Sequence, residues 1–459
     1  MVALSNELKN IDFGDKRLNR RTRRLLEDLG NNPGVSIPVA CNGWGETKAA
    51  YRLFDNDKVD GQKILEPHYA CSMERMREHP IVLCIQDTTE LDYTGKNDIE
   101  GLGPLNYESR RGLYLHPTLA VTPSQLCLGV LDAWKFTREP GSLGQNRPYW
   151  YDPIEKKESL RWLEGYRQTC DYQQAIPETR LVYVADREGD IYEIFFEQQI
   201  VSQKGKSAAD WLIRSRFDRN TTDGKKLWKS TQQSEVIDQV EFDLPAAKGR
   251  KARQIIQSLR AVRIKLNPPF RRGKKLDSVE VTALLASEDN PPEGEEPVEW
   301  LLLSNVPVET SEQAVDMLQW YLARWQIEIF FRILKSGCKV EELQLEKVEK
   351  IEAALSFYMI IAWRILFLTT LGRVCPELPC DAVFDGEEWK AAYIVSKRKP
   401  PPDHPPRLNE MIRTIASFGG FLGRKSDGDP GPKSIWIGLQ RVRDFAAGIQ
   451  FQKELEAGL

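Results

Sequence analysis

The sequence predicts an α/β protein, in which buried strands carry a β-rich insertion and helical segments flank them at both ends. Three observations predict it. Two continuous apolar runs, IVLCIQD at 81–87 and LVYVAD at 181–186, each end in an aspartate, and such runs belong to central strands covered on both faces. Between about 211 and 304 the pattern changes to short β-like runs separated by turns rich in Gly, Pro and Lys. Helical periodicity governs both ends of the chain. At roughly 150 residues per domain, 459 residues make about three domains, which we place at 1–65, at 66–375 with the insertion at about 211–304, and at 376–459.

In chain order, Asp15 is a candidate N-cap for a first helix carrying Lys16, Arg17, Arg20, Arg21, Arg23 and Arg24, and Gly30-Asn31-Asn32-Pro33 is its stop. A second helix covers 46–54. Residues 113–121 and 125–134 alternate enough to be strands, with Pro123-Ser124 as their turn. Within the insertion, 259–266 and 278–286 read as strands. A helical pattern then runs from Ser311 to Lys335. The apolar stretch 353–372 approaches the length of a membrane span, but Arg364 at its middle is costly in lipid, so a buried helix is the better reading. A proline-rich break at 397–406 precedes the last helical segment, where Ile435, Trp436, Ile437 and Leu439 offer an apolar contact face.

Composition excludes several classes. With 41% hydrophobic and 29% charged residues, the chain is neither disordered throughout nor fibrous. Its first residues lack the apolar core of a signal peptide. Eight cysteines without a CxxC pair, and only four histidines, argue for reduced thiols in a cytoplasm and against a zinc site. Net charge is only −3, yet 204–275 contains 19 Lys/Arg and 7 Asp/Glu, whereas 276–317 contains 11 acidic residues and no basic one. A basic block is the usual footprint of phosphate-backbone binding; the alternative is a solvated, lysine-rich surface.

The chemistry concentrates on the helical pattern at 311–335. At about 100° per residue, Tyr321, Arg324, Glu328, Arg332 and Lys335 fall within one arc of about 80°, surrounded by apolar residues. A structural ion-pair stripe, Arg324 with Glu328, would need less than this. Buried charges need partners, and the strand-end aspartates Asp87 and Asp186 are candidates to share a cleft with Glu328. Three carboxylates and no histidine suit a hard cation such as Mg²⁺, and two such ions about 4 Å apart support in-line phosphoryl displacement. Arg324, Arg332 and Lys335 would then meet DNA phosphates. Either aspartate alone would more simply be a turn or cap residue.

The spacing Tyr321-x2-Arg324-x3-Glu328-x6-Lys335 resembles the YREK signature of the cut-and-paste bacterial DDE transposases of the insertion-sequence-four group, which includes the transposon-five transposase. Gln86-Asp87-Thr88-Thr89 resembles the family's first-aspartate motif and Asp186-Arg187-Glu188-Gly189-Asp190 its second, with Gly189 where an alanine is frequent. Further similar segments are DFGDKRLNRR, KAAYRLF, SRRGLYLH, EWLLLSNVPV and GGFLGRKSDGDPGPKSIWIGLQ, so the likeness spans nearly the whole chain. It implies a ribonuclease-H-like catalytic core, with Asp87, Asp186 and Glu328 binding two Mg²⁺ ions (or Mn²⁺ as a substitute), between a helical DNA-binding domain and a helical dimerisation domain.

The resemblance also implies that Tyr321, Arg324 and Lys335 hold the phosphate beside a flipped base, with Arg332 at a usually basic position. Trp300 would stack that base, a contact worth about 1–3 kcal/mol; the alternative is a core tryptophan. Arg214 matches a DNA-contacting arginine, and Arg20, Arg21 and Arg24 lie in the DNA-binding segment. The implied reaction nicks one strand at each transposon end, forms and reopens a hairpin, and joins the 3′ ends to target DNA. A homodimer would hold the two ends in the bacterial cytoplasm, at the nucleoid when bound. Rival readings are a catalytically silent DNA-binding regulator and a ribonuclease-H-like structure-selective nuclease. As a hypothesis, the acidic 276–317 stretch suppresses nonspecific binding; neutralising Glu293, Glu295 and Glu296 should then raise DNA affinity, measured against salt.

Overall fold

The computed structural model describes residues 4–41, 43–96, 99–141, 143, 149–244 and 252–456. In chain order the helices are α1 (Lys16–Asn31), α2 (Ile37–Ala40), α3 (Trp44–Phe54), α4 (Gly61–Met76), α5 (Leu160–Ala175), α6 (Tyr192–Gln203), α7 (Leu227–Gln232), α8 (Ser311–Leu322), α9 (Trp325–Arg332), α10 (Val348–Val374), α11 (Gly386–Lys397), α12 (Leu408–Phe418) and α13 (Pro432–Glu456). The strands are β1 (Ile81–Gln86), β2 (Thr89–Asp92), β3 (Gly103–Pro104), β4 (Arg111–Val121), β5 (Cys127–Phe136), β6 (Arg180–Ala185), β7 (Asp210–Arg214), β8 (Val236–Leu244), β9 (Arg253–Leu266), β10 (Val279–Glu288) and β11 (Glu299–Ser304). They form two compact units: one of Met1–Arg75, Thr88–Leu143 and Gln326–Leu459, the other of Met76–Asp87 and Gly144–Trp325.

In the first unit β4 pairs antiparallel with β2, β3 and β5. The strand expected at 125–134 begins only at Cys127, because Gln125 adopts φ 70° in the turn and its N–H donates to the Thr122 carbonyl. Helix α1 starts as expected, with the Asp15 carboxylate accepting from the Arg17 N–H at 2.8 Å, and buries Thr22, Leu25, Leu26 and Leu29 along one stripe. Helix α10 is long and apolar enough to cross a membrane, yet 83% of its most apolar window is buried inside the protein, against α1, α12, α13 and β5. Arg364 survives there because its guanidinium donates to the Val383 carbonyl at 2.9 Å; burial lowers its pKa to about 10.

A buried polar knot ties the N-terminus into this unit. The Glu7 carboxylate accepts a hydrogen bond from His68 Nδ1–H at 2.6 Å and a bidentate contact from Arg75. The Val130 N–H donates to His68 Nε2 at 3.1 Å, which fixes a neutral ring protonated on Nδ1.

The second unit is built on a mixed sheet in the order β1-β6-β7-β11-β10-β9-β8. Strands β1, β6 and β7 are parallel and the later pairings antiparallel. Val82 to Ile85 and Leu181 to Ala185 are fully buried, as unbroken apolar runs require. Helix α5 covers β1 and β6 at a point where Gly165 admits the Gln86 amide: a Cβ there would lie 1.9 Å from Gln86 Nε2.

Charge segregation along the chain is partly cancelled in this sheet. Arg253 of β9 pairs with Glu288 of β10 and, at 3.1 Å, with Glu295, while Arg263 pairs with Glu280 at 3.2 Å. Lys248, Arg250 and Lys251 of the basic block lie outside the described residues.

The helix expected from Ser311 to Lys335 is not continuous. Helix α8, closed at its start by a Thr310/Gln313 capping box, ends at Leu322; α9 begins at Trp325, and Ile333–Gly337 winds as a π-helix. The 3.6-residue wheel is therefore interrupted at Ala323 and Arg324 and again at the π-helical turn. The apolar face expected on the last helix is also corrected. Ile435 and Leu439 are buried within the first unit, and Trp436 lies against Gly337, where an added Cβ would stand 3.2 Å from the indole.

Candidate active site and nucleic-acid interface

Asp87 and Asp186 follow two neighbouring parallel strands. The last registered pair is Ile85↔Val184, so each aspartate stands two residues further at the same level, half-buried. Carboxylates at the C-terminal ends of adjacent parallel strands face the crevice where α/β sheets bind ligands. Asp186 is held by its own loop, its carboxylate accepting from the Glu188 N–H at 2.8 Å. One position before Asp87, Gln86 accepts from the Tyr183 hydroxyl at 2.6 Å, which also donates to the Trp162 carbonyl. Burial drives the Tyr183 pKa well up, so this phenol stays a donor and locks the strand ends.

Arg324, in the break after α8, places Nη1 2.9 Å from Asp87 Oδ2. Its guanidinium lies 5.8 Å from the Tyr321 ring centroid. Tyr321 is buried and its ring lies 6.3 Å from Trp300, which on its other side stacks at 6.1 Å and 15° on Phe242. Trp300 is half-buried. Arg214 donates to the Glu299 carbonyl at 3.3 Å. Its pKa is lowered by burial, against the opposing pull of the Tyr321 hydroxyl. Asp87, Asp186, Arg214, Trp300, Tyr321 and Arg324 thus all belong to the second unit.

Glu328, Arg332 and Lys335 belong to the first. Glu328 is half-buried in the first turn of α9 and Arg332 is exposed. Lys335 lies on the π-helical turn, 3.9 Å from Glu341. Among the described residues no three His, Cys, Asp or Glu side chains form a ready-made ion cage; the second unit supplies by itself the Asp87 and Asp186 pair. Its all-oxygen donors fit a hard divalent cation.

Arg20, Arg21 and Arg24 of α1 line a groove of about 690 Å³ together with Arg17 and, from α3, Arg52. Glu46 draws Arg21 and Arg24 into ion pairs, while Arg17, Arg20 and Arg52 are exposed. Guanidinium groups converging on a groove match a phosphate backbone.

Sequence reasoning missed Asp190 as a structural anchor. Its buried carboxylate accepts from the Arg216 N–H at 2.6 Å, the Phe217 N–H at 3.1 Å and Arg219 Nη1 at 2.7 Å. The partners lie 26 to 29 residues away, and only the acidic end of the DREGD motif hinted at them.

Three families match. Residues 1–59 match the transposase DNA-binding domain, 181–364 the transposase DDE domain and 360–457 the transposase Tn5 dimerisation domain. A DDE domain between DNA-binding and dimerisation modules defines a DDE transposase, a metal-dependent enzyme that cuts and joins DNA. The chain belongs to the Tn5-like DDE transposases.

Proposed function

We propose that the protein is a cut-and-paste transposase that binds transposon ends, cleaves them through a DNA hairpin and joins the 3′ ends to target DNA. The observation that carries this reading is the placement of Asp87 and Asp186 on adjacent parallel strands, with Arg324 on Asp87. In this reading Asp87, Asp186 and Glu328 hold two Mg²⁺ ions, for which Mn²⁺ substitutes. The ions supply water activation and charge stabilisation for in-line displacement at phosphorus.

The chain's own groups do the rest. Arg324, Tyr321, Arg214, Lys335 and Arg332 fix the phosphate next to the scissile position, and a base turned out of the duplex stacks on the exposed part of Trp300. The α1/α3 groove holds the end sequence through Arg20, Arg21 and Arg24. Residues 1–65, 66–375 and 376–459 act as DNA-binding, catalytic and dimerisation domains, and a homodimer holds two ends. All eight cysteines are free thiols, which supports work in a reducing cytoplasm; when bound to DNA the protein would sit at the nucleoid.

The test uses DNA carrying the terminal repeats that flank this gene, purified protein and Mg²⁺, read on a denaturing gel beside Glu328→Ala. Nicks followed by hairpins, absent in the variant, are expected. Nicks that never become hairpins would favour a simpler nuclease, and binding without cleavage a silent regulator.

A further inference from the structure

The second unit carries a cavity of about 420 Å³ that the reaction above does not use, lined by Trp150, Lys157, Arg187, Arg216, Phe217 and Arg271 among others. Its walls are rigid for identifiable reasons. Arg271 is clamped to the buried Glu193 at 2.6 Å and donates to the Trp150 carbonyl at 3.1 Å. Lys157 donates to the same carbonyl at 2.8 Å, and the Arg272 N–H donates to the Tyr151 carbonyl. On the opposite wall the Asp190 carboxylate pins the backbone of Arg216 and Phe217.

The rim, by contrast, is both aromatic and exposed. Trp150 is 67% exposed, Phe270 66% and Phe217 51%, although each is large and apolar. The rings cluster around Tyr151: Tyr149 stacks on it at 5.1 Å and 6°, Trp150 meets it edge-on at 5.5 Å, and Phe270 lies at 6.4 Å tilted by 57°. Cations interleave. Arg272 lies 5.0 Å from the Tyr151 ring centroid and Arg216 5.5 Å from that of Phe217, and among the described residues neither is ion-paired with a carboxylate.

We propose that this aromatic cluster binds an unpaired segment of DNA, with bases stacked on Trp150 and Phe270 and backbone phosphates on Arg216 and Arg272. Exposed aromatic faces with unneutralised guanidinium groups beside them are the two requirements of single-strand binding. Neither serves a folded core, where the same rings would be covered. The inference rests on the DNA-cutting class of the enzyme and not on the hairpin route, and the site is separate from Trp300.

The experiment measures fluorescence anisotropy with the full-length protein, without divalent metal so that no cleavage intervenes. The probes are an oligo(dT) strand of about a dozen nucleotides, within the usual site sizes, and an abasic strand of equal length. Trp150→Ala and Phe270→Ala, made separately, should each weaken oligo(dT) binding about tenfold and leave the abasic strand unaffected. Arg216→Ala with Arg272→Ala should weaken both strands and reduce the salt slope by about 1.4, two phosphates at roughly 0.7 each. Both aromatics are exposed, so unchanged urea midpoints are expected, and a variant that unfolds is replaced by the other. Aromatic variants that bind oligo(dT) as tightly as the native protein, or that lose both strands equally, would overturn the proposal.

Discussion

Asp190 shows how a single carboxylate carries structure at the end of the DREGD motif. Its side chain is fully buried and Arg219 is nearly so. Replacing Asp190 by Ala leaves a buried guanidinium unpaired and should cost about 3–5 kcal/mol, read as a lowered urea midpoint at constant slope. Arg324 makes a different prediction. Arg324→Ala removes the guanidinium that faces Asp87 and, in the proposed mechanism, the adjacent phosphate, so cleavage should fall about 100-fold with folding retained. Arg324→Lys should restore little, since an ammonium lacks the planar fork; single-turnover cleavage checks both, and wild-type rates in the lysine variant would refute the geometric role. Asp87 and Asp186 were legible in the sequence because an apolar run that stops at an aspartate marks the end of a buried strand. The anchoring role of Asp190 was not, because its partners come from a strand end and loop far along the chain.

Between Ser311 and Gly337 the lesson is about elements. Periodicity located the helical segment, and Thr310 with Gln313 supplies the capping box that starts it. What periodicity could not reveal is the interruption at Ala323 and Arg324, since every residue there is compatible with a helix; tertiary packing decides it. The last helix makes the converse point. Its apolar residues were legible, but whether they face a partner or the chain itself depends on neighbours distant in sequence, and here Ile435 and Leu439 pack inward. Gly438 explains how α13 comes so close to α12: a Cβ at this position would lie 1.9 Å from the Ile415 carbonyl oxygen. In an isolated helix Gly→Ala is favourable by about 1 kcal/mol. In this protein Gly438→Ala must separate two backbones, so a net destabilisation of about 1–3 kcal/mol is expected. Thermal melting distinguishes the two, because a raised melting temperature would mean that the helices are not in close contact.

For the molecule as a whole, a near-neutral net charge concealed a basic block and an acidic stretch, and the sheet then paired part of one with part of the other through Arg253 and Arg263. Sequence counts register the blocks but not the cross-strand register that cancels them. The same dependence on long-range partners sets the acid stability. Burial pushes the Glu7 carboxyl up, yet the hydrogen bond from His68 and the charge of Arg75 outweigh it and hold its pKa at about 2, against an ordinary 4.5. Burial pushes the His68 pKa below its ordinary 6.5. Both groups therefore bind protons more weakly in the folded chain than in the unfolded one, and both contribute stability that is lost as pH falls. The His68 contribution begins to fade below about pH 6.5 and that of Glu7 between about 4.5 and 2. Unfolding free energy should accordingly fall steadily from neutral pH into the acid range. In Glu7→Gln the starting stability should be lower, because Arg75 loses its counter-charge, but the limb between pH 4.5 and 2 should flatten. Urea titrations of both proteins across that range decide the point: equal slopes would show that the acid sensitivity arises from other carboxylates than the one that ties the N-terminus to His68 and Arg75.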